Sequence, residues 1–361
     1  MAQTAFALAG LGGFNAHGAG FLDAATRHGM NPAAGGARPP ALVTATSGQI
    51  VMLRHWLKGC EDLRGKIVDP RRERNPLSLL KTAMFGLPGV FEPAYREAIR
   101  RWWTPPTQGQ SLLDAVVDRA LPAQQYVPDR EDSFYEDIAA TFRGAPIGVV
   151  FNAYDPIQGR AVLYGNAAAR DWWPEESSLP AEADAFPCMP QARDVRYAPR
   201  SREPALHEIS VEGVKAALWL TLYGFQKTPC DQLDGAYHRA CLVSELHAFD
   251  RIIVARPLAN GWVSKDLPTN YFEAQDWQTE MWFSVGYKAE VDALRRINQL
   301  IDRGHIRSDK FKKVALYEVQ PRTPAGYFNF FIERDQVYDD AFAQADALFS
   351  CLEEHDAQPG G

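Results

Sequence analysis

Cysteine is too sparse and too scattered in this chain to hold anything together. The five residues Cys60, Cys188, Cys230, Cys241 and Cys351 are an odd set with no C-x-x-C pair. That excludes a disulfide framework and a thiolate zinc site, and fits a reduced compartment. Histidine-based metal motifs are missing too, with no H-E-x-x-H and no cluster of His, Asp and Glu at ligand spacing. No apolar run reaches the roughly 18 residues a membrane helix needs. Residues 4–9 are apolar but short, with no basic stretch before them, so they do not form a targeting segment. A soluble, cytoplasmic protein is the expectation. Positive charge is in deficit, at a net −7, and no basic stripe with interleaved aromatics is present. Nucleic acid is therefore not an expected partner. Internal repeats are absent, as is any linker long enough to divide the chain into two domains.

What is present is apolar bulk: 46% of the 361 residues are hydrophobic, enough to bury a core without staples. Nine tryptophans include the pairs Trp102-Trp103 and Trp172-Trp173, which suit either packing or peripheral membrane contact. Strand and helix patterns alternate, which predicts an α/β sheet. Residues 4–9 read as a buried strand, followed by a glycine loop (Gly10, Gly12, Gly13) and a helix of small residues over 16–28. A second strand runs through Ala41, Leu42, Val43, Thr44 and Ala45. Residues 60–140 read as mostly helical and irregular, with 77–90 as one wall of an apolar pocket or plain core. A hairpin is predicted from 147–154 and 160–164, and 171–204 as a long surface excursion. Residues 214–225 read as a buried helix or part of an acyl-chain pocket. Residues 251–255 form a strand, 289–303 a helix with Val291, Leu294, Ile297 and Ile301 on one face, 313–319 a last strand and 335–353 a last helix.

The second strand carries the chemistry. It runs into Thr46, Ser47 and Gly48, and Ile50 opens a new apolar run, so Ser47 is expected at the tip of a tight strand-to-helix turn. A hydroxyl there lies beside a helix N-terminus, whose free N–H groups favour developing negative charge. The alternative is that Ser47 only caps the helix. The glycine loop after the first strand also invites a dinucleotide reading. It fails because Asn15 takes the place of the third glycine of G-x-G-x-x-G and the second strand ends in Thr46-Ser47 rather than an acidic residue. No cofactor is implied. Far downstream, Asp234-Gly235 is a turn signal. His238, four residues on, offers a histidine alternative, and His17 lies just after the glycine loop.

The glycine loop, the serine elbow and Asp234-Gly235-Ala236, in that order, resemble the patatin-like phospholipase family of lipid acyl hydrolases. The hairpin sequence from Asn152 to Gly159 resembles the family's hairpin between its two catalytic residues. The resemblance covers about 4–258, with 259–355 expected to pack on that core in one domain spanning 1–361. It implies a three-layer α/β/α sandwich with a mostly parallel central sheet. It also implies a Ser47–Asp234 dyad without a catalytic histidine, an oxyanion hole from Gly12, Gly13 and Gly48, and a lipid or other acyl ester as substrate. The elbow departs from G-x-S-x-G at Ala45 and Gln49, and the loop at Phe14 and Asn15. These departures motivate a second reading, a catalytically silent lipid- or acyl-binding protein that keeps the pocket.

Overall fold

The structure, a computed structural model, describes residues 2–10, 15–67, 84–105, 111–120, 122–173, 206–225, 228–257, 267–269, 271–306, 312–321 and 334–357. Strand β1 (Thr4–Leu8) leads to helix α1 (Asn15–Arg27), and β2 (Leu42–Ala45) to α2 (Gln49–Leu57). A short antiparallel pair, β3 (Phe91–Pro93) and β4 (Tyr126–Pro128), brackets α3 (Tyr95–Trp103) and α4 (Leu112–Ala120). Helix α5 (Asp132–Arg143) precedes the hairpin of β5 (Gly148–Asp155) and β6 (Arg160–Gly165), then α6 (Ala167–Arg170). After β7 (Leu206–Glu208) come α7 (Val211–Ala217), the two-residue β8 (Leu233–Asp234) and β9 (Arg251–Ala255). Helix α8 (Tyr271–Asp302), β10 (Ala315–Val319) and α9 (Arg334–Ala357) are the last elements among the described residues.

Among the described residues, the strands other than β3 and β4 form one sheet in the order β10-β9-β1-β2-β5-β6-β7, with β8 paired to β5. From β10 to β5 all neighbours are parallel, while β6 and β8 run antiparallel to β5. The alternation of the strands explains the layers, since successive side chains point to opposite faces. Phe6, Leu8, Val43, Ala45, Val149, Phe151 and Ile253 share one core with α1, α2, α5 and α9. Ala5, Ala7, Leu42, Val150, Ile252 and Val254 share the other with residues 241–249 and α8. The helices divide this way because parallel crossovers are right-handed. The connections β1–α1–β2 and β2–β5 step one way across the sheet, and β9–α8–β10 steps the other, which puts its helix on the opposite face. The result is a three-layer α/β/α architecture around a mostly parallel sheet.

Helix α9 closes the first face by lying along α1. Tyr338 donates from its hydroxyl to Asp23 at 2.6 Å, and His28 bonds both Asp346 and Glu353 at 3.0 Å. Phe349 meets Phe21 at 5.5 Å and Phe6 at 6.0 Å between ring centroids. Buried Asp23 also accepts the Leu63 N–H at 3.0 Å, and burial raises its carboxyl above its ordinary value.

Several expectations meet a different outcome. The helix read over 289–303 begins at Tyr271, and of its predicted face Val291 and Leu294 are buried whereas Ile297 and Ile301 are half-buried. The apolar segment 214–225 is helical only to Ala217, and beyond that it turns so that the Trp219 carbonyl can accept from Asp234 N–H at 3.0 Å. Of the wall read over 77–90, residues 77–83 lie outside the described residues, and Met84 and Phe85 are exposed. The surface excursion read over 171–204 lies outside them from 174 onward.

Candidate active site

The C-terminal ends of β1, β2 and β9 lie level, with Leu8 beside both Ala45 and Ala255. The chain leaves β2 there and enters α2 within three residues, which forces Ser47 to φ 55°. That is a left-handed conformation a non-glycine residue rarely adopts, and such strain clusters at functional sites. The turn is possible because Gly10 follows β1 without a side chain. A Cβ at Gly10 would lie 2.0 Å from the Thr46 carbonyl oxygen and 2.8 Å from Ser47 Cβ. Helix α2 takes Gly48 as its N-cap, with no side-chain cap. The Ser47 hydroxyl does something else: it donates to Asp234 Oδ2 at 2.5 Å. The capping alternative therefore does not describe what this side chain does. Gln49, which departs from the usual elbow glycine, is buried in the space that Gly18 leaves open, where a Cβ would meet its amide oxygen at 1.8 Å.

Asp234 reaches the serine through β8, whose Asp234 pairs with Ala153 of β5. Its two oxygens divide the work. Oδ1 accepts the Ala236 N–H at 2.9 Å and fixes the turn, leaving Oδ2 for Ser47. Gly235 is needed because a Cβ there would lie 2.5 Å from the Asn152 carbonyl oxygen and 2.4 Å from its side-chain carbon. Asn152 is itself the residue that sequence reasoning missed. Its Oδ1 accepts from Thr46 Oγ1 at 2.8 Å, and its Nδ2 donates to the Arg239 carbonyl at 2.9 Å. One side chain thus ties the elbow to the segment after Asp234. An asparagine at a buried strand position was the available signal, since such a polar group demands partners.

Ser47 and Asp234 are each only 2% exposed. Burial pushes the Asp234 carboxyl up to about 7, against the stabilising bonds from Ser47 and the Ala236 amide. A carboxylate that gains a proton near neutrality is suited to taking one from a serine, since a general base works best with its pKa near the operating pH. The 2.5 Å bond is in the range of O–H···O⁻ pairs. Two of the histidines are engaged elsewhere: His238 stacks on Tyr154 at 5.1 Å, and His247 Nδ1 lies 3.1 Å from the Ser244 carbonyl. His17 is buried in the first turn of α1, its pKa pushed down to about 3 by burial, so its ring is neutral. Asp231, the nearest other acid to the turn, is exposed.

Of the five residues singled out from the sequence, Ser47, Gly48 and Asp234 lie together, while Gly12 and Gly13 lie outside the described residues. At the ends of β1 and β9 a small cavity is lined by Ala9, Cys241, Arg256, Ser284 and Tyr287 among others. The Arg256 guanidinium sits 4.0 Å over the Tyr287 ring. Strand connections leave β1 and β9 in opposite directions, making this crevice the switch point where α/β sheets open to ligands. Among the described residues no three His, Cys, Asp or Glu side chains are grouped to hold a metal ion.

No family model matches the chain, and no curated protein matches it significantly. The fold and the site together define a class by geometry: a parallel α/β sheet carrying a strained serine on a strand-to-helix elbow, hydrogen-bonded to a buried carboxylate.

Proposed function

We propose that this chain is a serine hydrolase of carboxylic esters and, within that class, a patatin-like lipid acyl hydrolase. The observation that carries the reading is the 2.5 Å bond from Ser47 Oγ to Asp234 Oδ2 at a serine with φ 55°. A serine hydroxyl is a poor nucleophile until a base accepts its proton. Asp234 takes that proton as Oγ attacks the ester carbonyl. The tetrahedral intermediate collapses to a Ser47 acyl ester, and the departing alkoxide recovers the proton from Asp234. Asp234 next deprotonates a water that attacks the acyl ester, and the proton returns to Ser47 as the acid is released. The carbonyl oxygen, negative in both intermediates, is assigned to backbone N–H groups of Gly48, Gly12 and Gly13, the last two on the strength of the family resemblance. One such donor contributes about 3–4 kcal/mol. An acyl ester as substrate is assigned on the strength of the family resemblance, and the proposal includes a cytoplasmic setting. Among the described residues no helix is long and apolar enough to cross a membrane.

The test is labelling with a fluorophosphonate followed by peptide mass spectrometry. The adduct is expected on Ser47 and on no other serine, and Ser47→Ala is expected to abolish hydrolysis of p-nitrophenyl esters. An adduct elsewhere, or ester turnover that survives Ser47→Ala, overturns the assignment. The silent acyl-binding reading is favoured by the departures at Ala45, Gln49, Phe14 and Asn15 and by the near-complete burial of the dyad. Fatty-acid binding by a folded protein that neither labels nor turns over esters would establish that reading instead.

A further inference from the structure

The two tryptophan pairs part company in the fold. Trp172 packs on Phe249 at 5.1 Å, and Trp172 and Trp173 lie against the core on the α8 face. Trp102 and Trp103 do the opposite, ending α3 with 60% and 85% exposure. Ile99 lies one turn earlier, and Leu112, Leu113 and Val116 of the next helix are exposed as well. Helix α3 carries Arg96, Arg100 and Arg101 against Glu97, and α4 carries Arg119 against Asp114 and Asp118, so the pair is slightly positive with its excess on α3, in a chain whose net charge is −7. Arg96 and Arg100 are exposed beside the apolar residues.

From this arrangement we propose that α3 and α4 form a docking surface for a membrane rich in anionic phospholipid. Tryptophan prefers the water–lipid boundary, and an amphipathic helix with arginines beside an aromatic and aliphatic face lies in that plane. The arginines select the anionic surface electrostatically. The two helices are one unit, because Arg119 of α4 donates to the carbonyls of Thr104 at 2.7 Å and Arg101 at 3.3 Å. That unit is connected to the dyad in few steps. The Ala94 N–H donates to the Gln125 carbonyl at 3.0 Å, and the Gln125 N–H to the Leu222 carbonyl at 2.9 Å. Three residues before Leu222, the Trp219 carbonyl holds the Asp234 N–H. Docking here sets the membrane beside the segment that positions the base. The binding claim stands apart from the hydrolase reading, whereas its use, delivery of a membrane-borne ester, rests on that reading.

The test is co-flotation of the full chain with vesicles of phosphatidylcholine, or of an equal mixture of phosphatidylcholine and phosphatidylglycerol. Wild type is expected to float with the mixed vesicles, less with the neutral ones, and less as salt is raised. Trp102→Ala with Trp103→Ala is expected to lower partitioning at least tenfold on both. Arg96→Gln with Arg100→Gln is expected to lower it about tenfold on mixed vesicles only. Ser47→Ala should float as wild type does, so loss of catalysis leaves this readout intact. Wild type that fails to float with mixed vesicles, or folded variants of both kinds that float unchanged, overturns the proposal. Concentration-dependent dimerisation that is lost in the tryptophan variant, without flotation, would assign the surface to a second copy of the chain.

Discussion

At the scale of single residues, Asp234 carries both a titration and a turn, and the two separate by substitution. Asn at 234 keeps the oxygen that accepts the Ala236 N–H but cannot take up a serine proton. Asp234→Asn is expected to reduce ester turnover by several orders of magnitude with the fold intact. The same residue sets two pH dependences. Turnover needs the ionised carboxylate, so wild-type kcat/KM should rise with pH through an inflection near 7. A flat profile across that range would name a different base. The carboxyl binds its proton more tightly in the fold, at about 7, than at its ordinary 3.8. Its contribution to stability is therefore full below about pH 4, is lost as pH rises to about 7, and is constant above. Wild type should lose melting temperature relative to Asp234→Asn across that window and track it outside. The serine and the aspartate were both legible in the sequence because each sits in a local turn signal. The Thr46–Asn152 bond was not, since it joins residues 106 apart and neither carries a local pattern.

Among the elements, the site depends on two backbones that pass closer than side chains permit. Gly235→Ala would set a methyl 2.5 Å from the Asn152 carbonyl oxygen, and relief requires β8 to move off β5. Because the Asp234–Ser47 bond depends on that pairing, the expected result is a loss of at least a hundredfold in kcat, or about 3 kcal/mol of barrier. KM for a soluble ester should change far less, and a variant with normal kcat would show that β8 does not set the base. Elements with clean periodicity were readable from sequence: β1, β2, the β5–β6 hairpin and the C-terminal half of α8. The N-terminal half of α8 was not, because Trp282 and Val285 are exposed there and break the pattern of a buried stripe. Strands as short as β7 and β8 have too few residues to show an alternation, and only their partners define them.

On the scale of the whole molecule, the sheet is sealed by a helix drawn from the far end of the sequence. Phe349 of α9 is fully buried against Phe6 and Phe21. Phe349→Ala should cost about 3–5 kcal/mol of stability, the range for emptying a buried aromatic site. Chemical denaturation is the measurement, and ester turnover at low temperature should remain near wild type because the cavity opens beneath α1 rather than at the elbow. A destabilisation under about 1 kcal/mol would mean that α9 is loosely held. The same contact has a consequence in time. His28 and Asp346, which bond across the α1–α9 contact, are separated by 318 residues. A ribosome adding 5–20 residues per second needs roughly 15 to 60 s to cover that distance. Throughout that interval Phe6 and Phe21 have been made and their cover has not, so the newborn chain presents an oily face that chaperones can bind and that neighbouring chains can stick to.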